Sequence, residues 1–299
     1  MALSYSVDKT DSSGRELLTY GTSDFPIAFF DDDLTKVKVP WHWHDEFEII
    51  IITEGSVCVQ IANSSFVLNK GEGYFLNSGI LHSAKLLSKK GHQHALIFSP
   101  EITAHSEDIV WKTYIQPIFK KQALPFIKLS PGISWQNSIL QLSNDAWLTG
   151  AYEKTDYPIT IRHNLTRVFS LIKSNIDLIE NETEFTDKAK QDELRIKKIL
   201  FFIENNYPTT ITIADIAKSG DISISSCLRL FKQILKTTPI QYLIKYRLQK
   251  SVEEFDSLEG RSIGDIAYSC GFSDATYFNR CFKKEFDCTP TEYMAKKSA

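Results

Sequence analysis

The chain has 299 residues, 42% hydrophobic and 24% charged, with a formal net charge of −3. That length suits two domains and a connector, and the composition excludes a largely disordered or linker-dominated chain. The charge divides unevenly, with 16 Lys and Arg against 22 Asp and Glu in residues 1–185 and 18 against 15 in residues 186–299. A nucleic-acid surface is therefore expected in the C-terminal third.

No run of about 18 apolar residues offers a membrane span, so no membrane partner is expected. The opening stretch MALSYSVDKTDSSG lacks the basic-then-apolar order of a secretory signal. The five cysteines, at 58, 227, 270, 281 and 288, show no CxxC spacing. Free thiols in a cytoplasmic protein are the expectation.

The first third reads as β. Residues 48–52 (EIIII) form an apolar run, residues 56–62 (SVCVQIA) and 64–68 alternate, and Gly71 and Gly73 punctuate. Residues 74–76 follow, then a turn at 77–79, then residues 95–98 before Pro100. Short strands at near-even spacing predict an antiparallel barrel or sandwich within residues 1–133.

Two spaced motifs lie on this region. His42, His44, Glu48 and Gly55 fit HxHx3Ex6G, and Gly71, Asn77, Gly79 and His82 fit Gx5PxGx2H with Asn in place of Pro. Together they resemble the two cupin motifs. The resemblance implies that His42, His44, Glu48 and His82 surround one site, which in metal-binding cupins holds a divalent cation. Residues i and i+2 of a strand share a face, so His42 and His44 should converge. Three imidazoles and a carboxylate suit Zn, Mn, Fe or Ni. Trp41, Trp43 and Phe47 beside them suit core packing or stacking on a sugar face.

Two amphipathic helices follow. Residues 134–148 place Trp135, Ile139, Leu142 and Ala146 on one face, and residues 159–179 do the same with Leu165, Val168, Phe169, Ile172 and Ile176. Residues 134–180 are expected to be a helical dimerisation region. Residues 181–191 (NETEFTDKAKQ) have no apolar period and are expected to be a linker.

From residue 192 the chain reads as helix and contains a repeat. IADIA at 213–217 matches IGDIA at 263–267 at an offset of 50. Phe231-Lys232, Thr238-Pro239 and Tyr242 recur as Phe282-Lys283, Thr289-Pro290 and Tyr293 at 51, so one residue is inserted in the second turn. Each copy is a short helix, a tight turn and a second helix, with Asp221 and Gly271 supplying the turns and Ser223 and Ser273 expected as N-caps. Two such units in tandem, over roughly residues 192–295, resemble the AraC/XylS family of transcription regulators. The likeness is densest in the IA…GF…YF…FK…TP…Y pattern of the second copy. Ser251 and Met294 depart from the family's usual Ala and Arg.

The resemblance implies recognition helices at 223–235 and 273–286, joined through a helix of about 27 Å at residues 239–256, reading double-stranded DNA on one face. The residues it directs to bases are Ser225, Ser226, Leu228 and Arg229 in the first copy, and Ala275, Thr276, Asn279 and Arg280 in the second. Arg suits guanine and Asn suits adenine, while Lys232 and Lys283 suit phosphate. In such regulators the HxHx3E residues serve a small organic effector such as a sugar, so metal and organic ligand both remain open for the four-residue site.

The expected class is α+β and multidomain: an N-terminal antiparallel β-barrel, cupin-like, with helices, and a C-terminal all-α tandem helix-turn-helix domain at 192–299. The expected function is a ligand-responsive, homodimeric transcription regulator and not an enzyme. The rival is a metal-dependent cupin isomerase or dioxygenase with a helical appendage, which would have no use for the C-terminal repeat. No P-loop, GxGxxG or HExxH occurs.

Overall fold

The structure, a computed structural model, describes residues 3–4, 16, 21–22, 24–61, 64–119, 124–180, 187–255 and 261–297. The chain divides into two compact units, the first ending at Glu193 and the second starting at Leu194.

The first unit is built on two antiparallel sheets. The strands are β1 (Ile27–Asp33), β2 (Val39–His42), β3 (Phe47–Glu54), β4 (Ser56–Ile61), β5 (Ser64–Asn69), β6 (Gly73–Leu76), β7 (His82–Leu86), β8 (His92–Phe98) and β9 (Phe126–Leu129). One sheet has the order β1-β8-β3-β6-β9 and the other β2-β7-β4-β5. The sequence pattern follows from what each face meets. In β4, Val57, Val59 and Ile61 are buried while Ser56, Cys58 and Gln60 are half-exposed, which is the alternation of a strand covered on one side. β3 is covered on both sides, so its apolar run is continuous. Ile50 and Ile52 pack among Val57, Val59 and Leu68 between the sheets, and Phe47, Ile49 and Ile51 pack against helices on the far face.

Those helices are α2 (Ser134–Ala151) and α3 (Tyr157–Ser174), which come after the short α1 (Gln116–Phe119). Their apolar stripe is present as expected, and it packs on the chain's own sheet. Ile139, Leu165, Val168 and Ile172 are fully buried against Phe47, Phe75 and Phe98, and Trp135 and Leu142 pack partly buried on the same cluster. The physical reason is the apolar far face of the five-stranded sheet. Uncovering one such Phe, Ile or Leu costs about 1.5–3 kcal/mol, so the sheet takes these helices as its cover. Trp147 Nε1 donates to the Phe30 carbonyl at 3.0 Å. A Cβ at Gly150 would run into the Phe29 ring, so the glycine permits the close approach of α2 to β1. The short α4 (Ile176–Glu180) ends this region.

The expected linker lies partly outside the described residues, at 181–186. Residues 187–191 belong to α5 (Asp187–Asn206).

The second unit is helical throughout: the rest of α5, then α6 (Ile213–Ser219), α7 (Ile224–Ile234), α8 (Pro239–Phe255), α9 (Ile263–Ser269), α10 (Ala275–Phe286) and α11 (Pro290–Lys297). The repeat is visible in the capping. Thr212 with Asp215 and Ser262 with Asp265 form reciprocal capping boxes at the starts of α6 and α9. Ser223 caps α7 as expected. α10 is capped by Asp274, not by Ser273. Ser273 is itself the inserted residue, so the cap passes one position on. Ile216, Ala217 and Phe231 are buried in the first copy, and Ile266, Ala267, Phe272, Phe278 and Phe282 form the core of the second. Ser251 is buried in α8 with its hydroxyl donating to the Leu248 carbonyl at 2.7 Å, and Met294 packs at the edge of the second core.

Candidate effector site and nucleic-acid interface

The two spaced motifs of the first unit come together at the end of the barrel. His42 closes β2 and lies opposite His82 of β7 in the strand register. His44 stands two residues past the end of β2, in a loop pinned to the Asn77–Gly79 turn. Gly79 N–H donates to the His44 carbonyl at 2.8 Å, and Ser78 Oγ donates to the Asp45 carbonyl at 2.7 Å. Asn77, standing in for proline, is buried. Its Nδ2 donates to the carbonyls of Ile118 at 2.9 Å and Leu124 at 3.0 Å, a tie that proline lacks.

The three imidazoles are all buried, with ring centres 4.0 Å apart for His42 and His82, 5.2 Å for His44 and His82, and 6.0 Å for His42 and His44. Each Nδ1 faces a backbone carbonyl two residues away: Pro40 at 2.9 Å, Glu46 at 3.1 Å and Ile80 at 2.9 Å. A carbonyl only accepts, so each Nδ1 carries a hydrogen, and Nε2 is the ring atom left to bind. One ligand atom from each histidine lies within 4.8 Å of the others. Second-partner hydrogen bonds of this kind fix the tautomer and orientation of metal-bound histidines, so the donor set fits a divalent cation.

Glu48, on the inner face of β3, joins from one side with Oε2 3.3 Å from His82 Nε2. Tyr74 of β6 donates its hydroxyl to the same oxygen at 3.1 Å. Burial works to raise the Glu48 carboxyl, but the charge and hydrogen bond of His82, with His44 and His42 behind it, bring it down to about 2. Burial works to lower His82, and the Glu48 charge and hydrogen bond overcome it and raise it. Burial, then the neighbouring His82 and His44, push His42 well below the ordinary imidazole range. Glu48 is therefore held as a carboxylate beside the His82 imidazole.

Three further residues touch the site and belong to neither motif. Glu16 Oε2 is 3.6 Å from His42 Nε2, Tyr74 orients Glu48, and the buried Glu193 of α5 accepts the Leu81 N–H at 3.1 Å. Leu81 sits between Ile80, whose carbonyl holds His82, and His82 itself. Tyr74 is readable only as an inward position of an apolar strand, and nothing local marks Glu16 or Glu193.

In the second unit, α7 and α10 are the second helices of the two helix-turn-helix copies. Ser225, Leu228, Arg229, Lys232, Thr276, Asn279, Arg280 and Lys283 are exposed, and Ser226 and Ala275 are partly so. Arg229 and Arg280 hold equivalent places. The Arg280 guanidinium lies 5.2 Å from the centre of the Tyr277 ring, which adds Tyr277 to this face. Between the copies, α8 spans about 26 Å for its 17 residues.

Family models agree with both halves. The AraC-like ligand binding domain matches residues 25–107, and the helix-turn-helix domain matches residues 216–296. The chain belongs to the AraC/XylS family of transcription regulators. It is 29% identical over 294 residues to the uncharacterized HTH-type transcriptional regulator YdeC of Bacillus subtilis, covering 96% of this chain and 98% of that one. It is 27% identical over 257 residues to the HTH-type transcriptional activator RhaR of Mannheimia succiniciproducens, covering 86% and 87%. A fatty-acid-bound ToxT from Vibrio cholerae aligns at 16% identity over 93% of this chain and 97% of that one, with a TM-score of 0.43. This AraC-type regulator thus pairs a ligand-binding unit with a DNA-binding unit, and no helix among its described residues is long and apolar enough to cross a membrane.

Proposed function

We propose that this regulator senses a divalent transition metal at His42, His44, His82 and Glu48, and that occupancy there changes how α7 and α10 bind specific double-stranded DNA. The observation that carries the reading is the common orientation of the three imidazoles, each with Nδ1 spent on a backbone carbonyl and Nε2 turned inward. Inward lone pairs suit a cation. A sugar needs donors as well as acceptors, and this centre offers few donors. When bound, the ion would supply positive charge at this buried centre, held by the Nε2 atoms of His42, His44 and His82 with Glu48 beside them. The chain's own contribution is to hold the rings in register and keep water out.

The reading is of a sensor and not of an enzyme, in keeping with relatives that are transcription regulators. It places the protein in the cytoplasm, which suits its free cysteines. It is a homodimer, with the exposed Tyr152, Ile159 and Leu178 as apolar surface left uncovered on the first unit. On the DNA face, Ser225, Ser226, Leu228 and Arg229 read one part of the site, and Ala275, Thr276, Asn279 and Arg280 another. Lys232 and Lys283 hold phosphates.

The test is sedimentation of the metal-free full chain with DNA selected by that chain from a random pool, before and after adding Zn(II), Co(II), Ni(II) or Mn(II). The expected result is two chains per site and at least a tenfold change in affinity with one of the metals. His44→Ala should abolish that change while keeping the metal-free affinity. DNA affinity indifferent to all four metals overturns the metal reading.

A further inference from the structure

The two recognition helices carry different chemistry at equivalent places. Phe231 of α7 matches Phe282 of α10 at an offset of 51, so Ile224 matches Ala275, Leu228 matches Asn279 and Arg229 matches Arg280. Ile224 and Leu228 stand one helical turn apart on α7. Both are large and apolar, yet 43% and 42% exposed, and they flank the exposed Ser225 and Arg229. The serine hydroxyls at this helix start are turned to one another. Ser223 Oγ and Ser225 Oγ are hydrogen-bonded at 3.0 Å, Ser223 Oγ donates to Ser226 Oγ at 3.0 Å, and the Ser226 N–H donates to Ser223 Oγ at 3.2 Å. Those contacts serve the helix cap. The longer side chains presented beside them are two aliphatic groups and the Arg229 guanidinium.

Ile224 and Leu228 are continuous with the DNA-reading face of α7, which makes the major groove their cover. The base pairs present donors and acceptors there, and the apolar group they display is the C5 methyl of thymine. An aliphatic side chain set against a polar base edge leaves donors and acceptors with neither water nor partner. Set against the methyl, it buries apolar surface on both sides. The second copy differs at the matching place. The Asn279 amide offers a donor and an acceptor in one plane, the pair that fits adenine N6 and N7. Leu228 offers neither.

We infer that α7 selects thymine by its methyl group, held against Leu228 and Ile224. The two copies are then chemically distinct readers, with methyl recognition in the first and hydrogen bonding in the second. Ile224 becomes a further specificity-determining residue. This inference rests on the reading above that α7 and α10 bind specific double-stranded DNA, and it names the base that the first of them takes.

The test uses DNA selected from a random pool by the full chain. Each thymine of the selected site is replaced in turn by deoxyuridine, which removes only the methyl, and affinity is measured at one salt concentration. The expected result is binding weakened about fourfold for each methyl lost at one or two positions. Leu228→Ala should bind the thymine and uracil forms of one such site equally, and Ile224→Ala should narrow the difference. Leu228→Asn should move the preferred base there from thymine to adenine. Wild-type affinity for nonspecific DNA would show that the variants are folded. If Leu228→Ala misfolds, Ile224→Ala and Leu228→Asn carry the test. Equal affinity for every uracil-substituted site overturns the inference and leaves DNA reading by the two helices standing. So does a methyl effect that persists unchanged in the variants. A wild-type chain that selects no sequence overturns both.

Discussion

The first helix-turn-helix turns through Gly220, Asp221 and Ile222, and the second through Cys270, Gly271 and Phe272. Both need a residue in the left-handed region, and both have one, Asp221 at φ 54° and Gly271 at φ 86°. Their surroundings differ. Asp221 is exposed and 3.7 Å from Lys198. Gly271 is wedged against the chain after α5, where a Cβ would collide with the Tyr207 carbonyl and come within 2.9 Å of Arg247 Nε. That arginine is itself fixed, donating to the Tyr207 carbonyl at 2.8 Å and the Thr209 carbonyl at 2.7 Å. One position earlier the roles reverse. A Cβ at Gly220 would meet Ile199 at 2.6 Å, whereas Cys270 is accommodated and fully buried. The two copies share a backbone requirement, and the neighbours decide which position tolerates a side chain.

The largest expected effect comes from breaking that asymmetry. Gly271→Ala should destabilise the second unit by about 2–4 kcal/mol, from backbone strain and overpacking together. Asp221→Gly should shift it by less than about 1 kcal/mol. Urea unfolding of the full chain followed by circular dichroism measures both, and equal effects would show the two turns to be equivalent.

A second comparison sets Arg229 against Arg280. Each replaced by Ala should lose about 1–3 kcal/mol of specific DNA binding and relax preference at its own part of the site. Selection of DNA by each variant from a random pool, followed by sequencing, reads the result. Loss of preference at the same bases in both variants would contradict a one-copy, one-part arrangement.

The smallest effect sharpens what the copies share. The Asp215 carboxylate accepts from the Thr212 hydroxyl and N–H at 2.6 and 2.9 Å, and the Asp265 carboxylate from those of Ser262 at 2.7 and 2.9 Å. These hydrogen bonds, side chain first and then backbone, hold both carboxyls below the ordinary aspartate value. A depressed acid stabilises the fold above its unfolded pKa, about 3.9, and that contribution is lost as pH falls through the lower folded value. Thr212→Val and Ser262→Ala should therefore each cost more stability at pH 6 than at pH 3. Unfolding midpoints at the two pH values check this, and a cost that did not shrink in acid would rule out the carboxylates as its source.

Legibility followed the range of the interactions. The 50- and 51-residue offsets, the cap Ser223 and the alternation in β4 are local. Each was readable because a helix start or a strand face imposes its own short pattern. The four motif residues His42, His44, Glu48 and His82 were likewise readable from spacing. Where an insertion shifted the register, local reading slipped by one, from Asp274 to Ser273. β1, IAFFDDD, ends in three aspartates. One of them, Asp32, is buried and accepts from Gln93 of β8 at 3.1 Å, a partner far along the chain.

What the sequence by itself determined about this regulator was its two-part plan, the repeat and the residue types at the site, because these are properties of neighbouring residues. The tertiary structure decided what lies across space. It set the apolar faces of α2 and α3 on the chain's own sheet, since that sheet has an apolar far face to cover. It also brought Glu16, Tyr74 and Glu193 to the histidine centre from three separate places in the chain. No local pattern records such meetings, because the burial and charge that favour them arise only once the strands have paired.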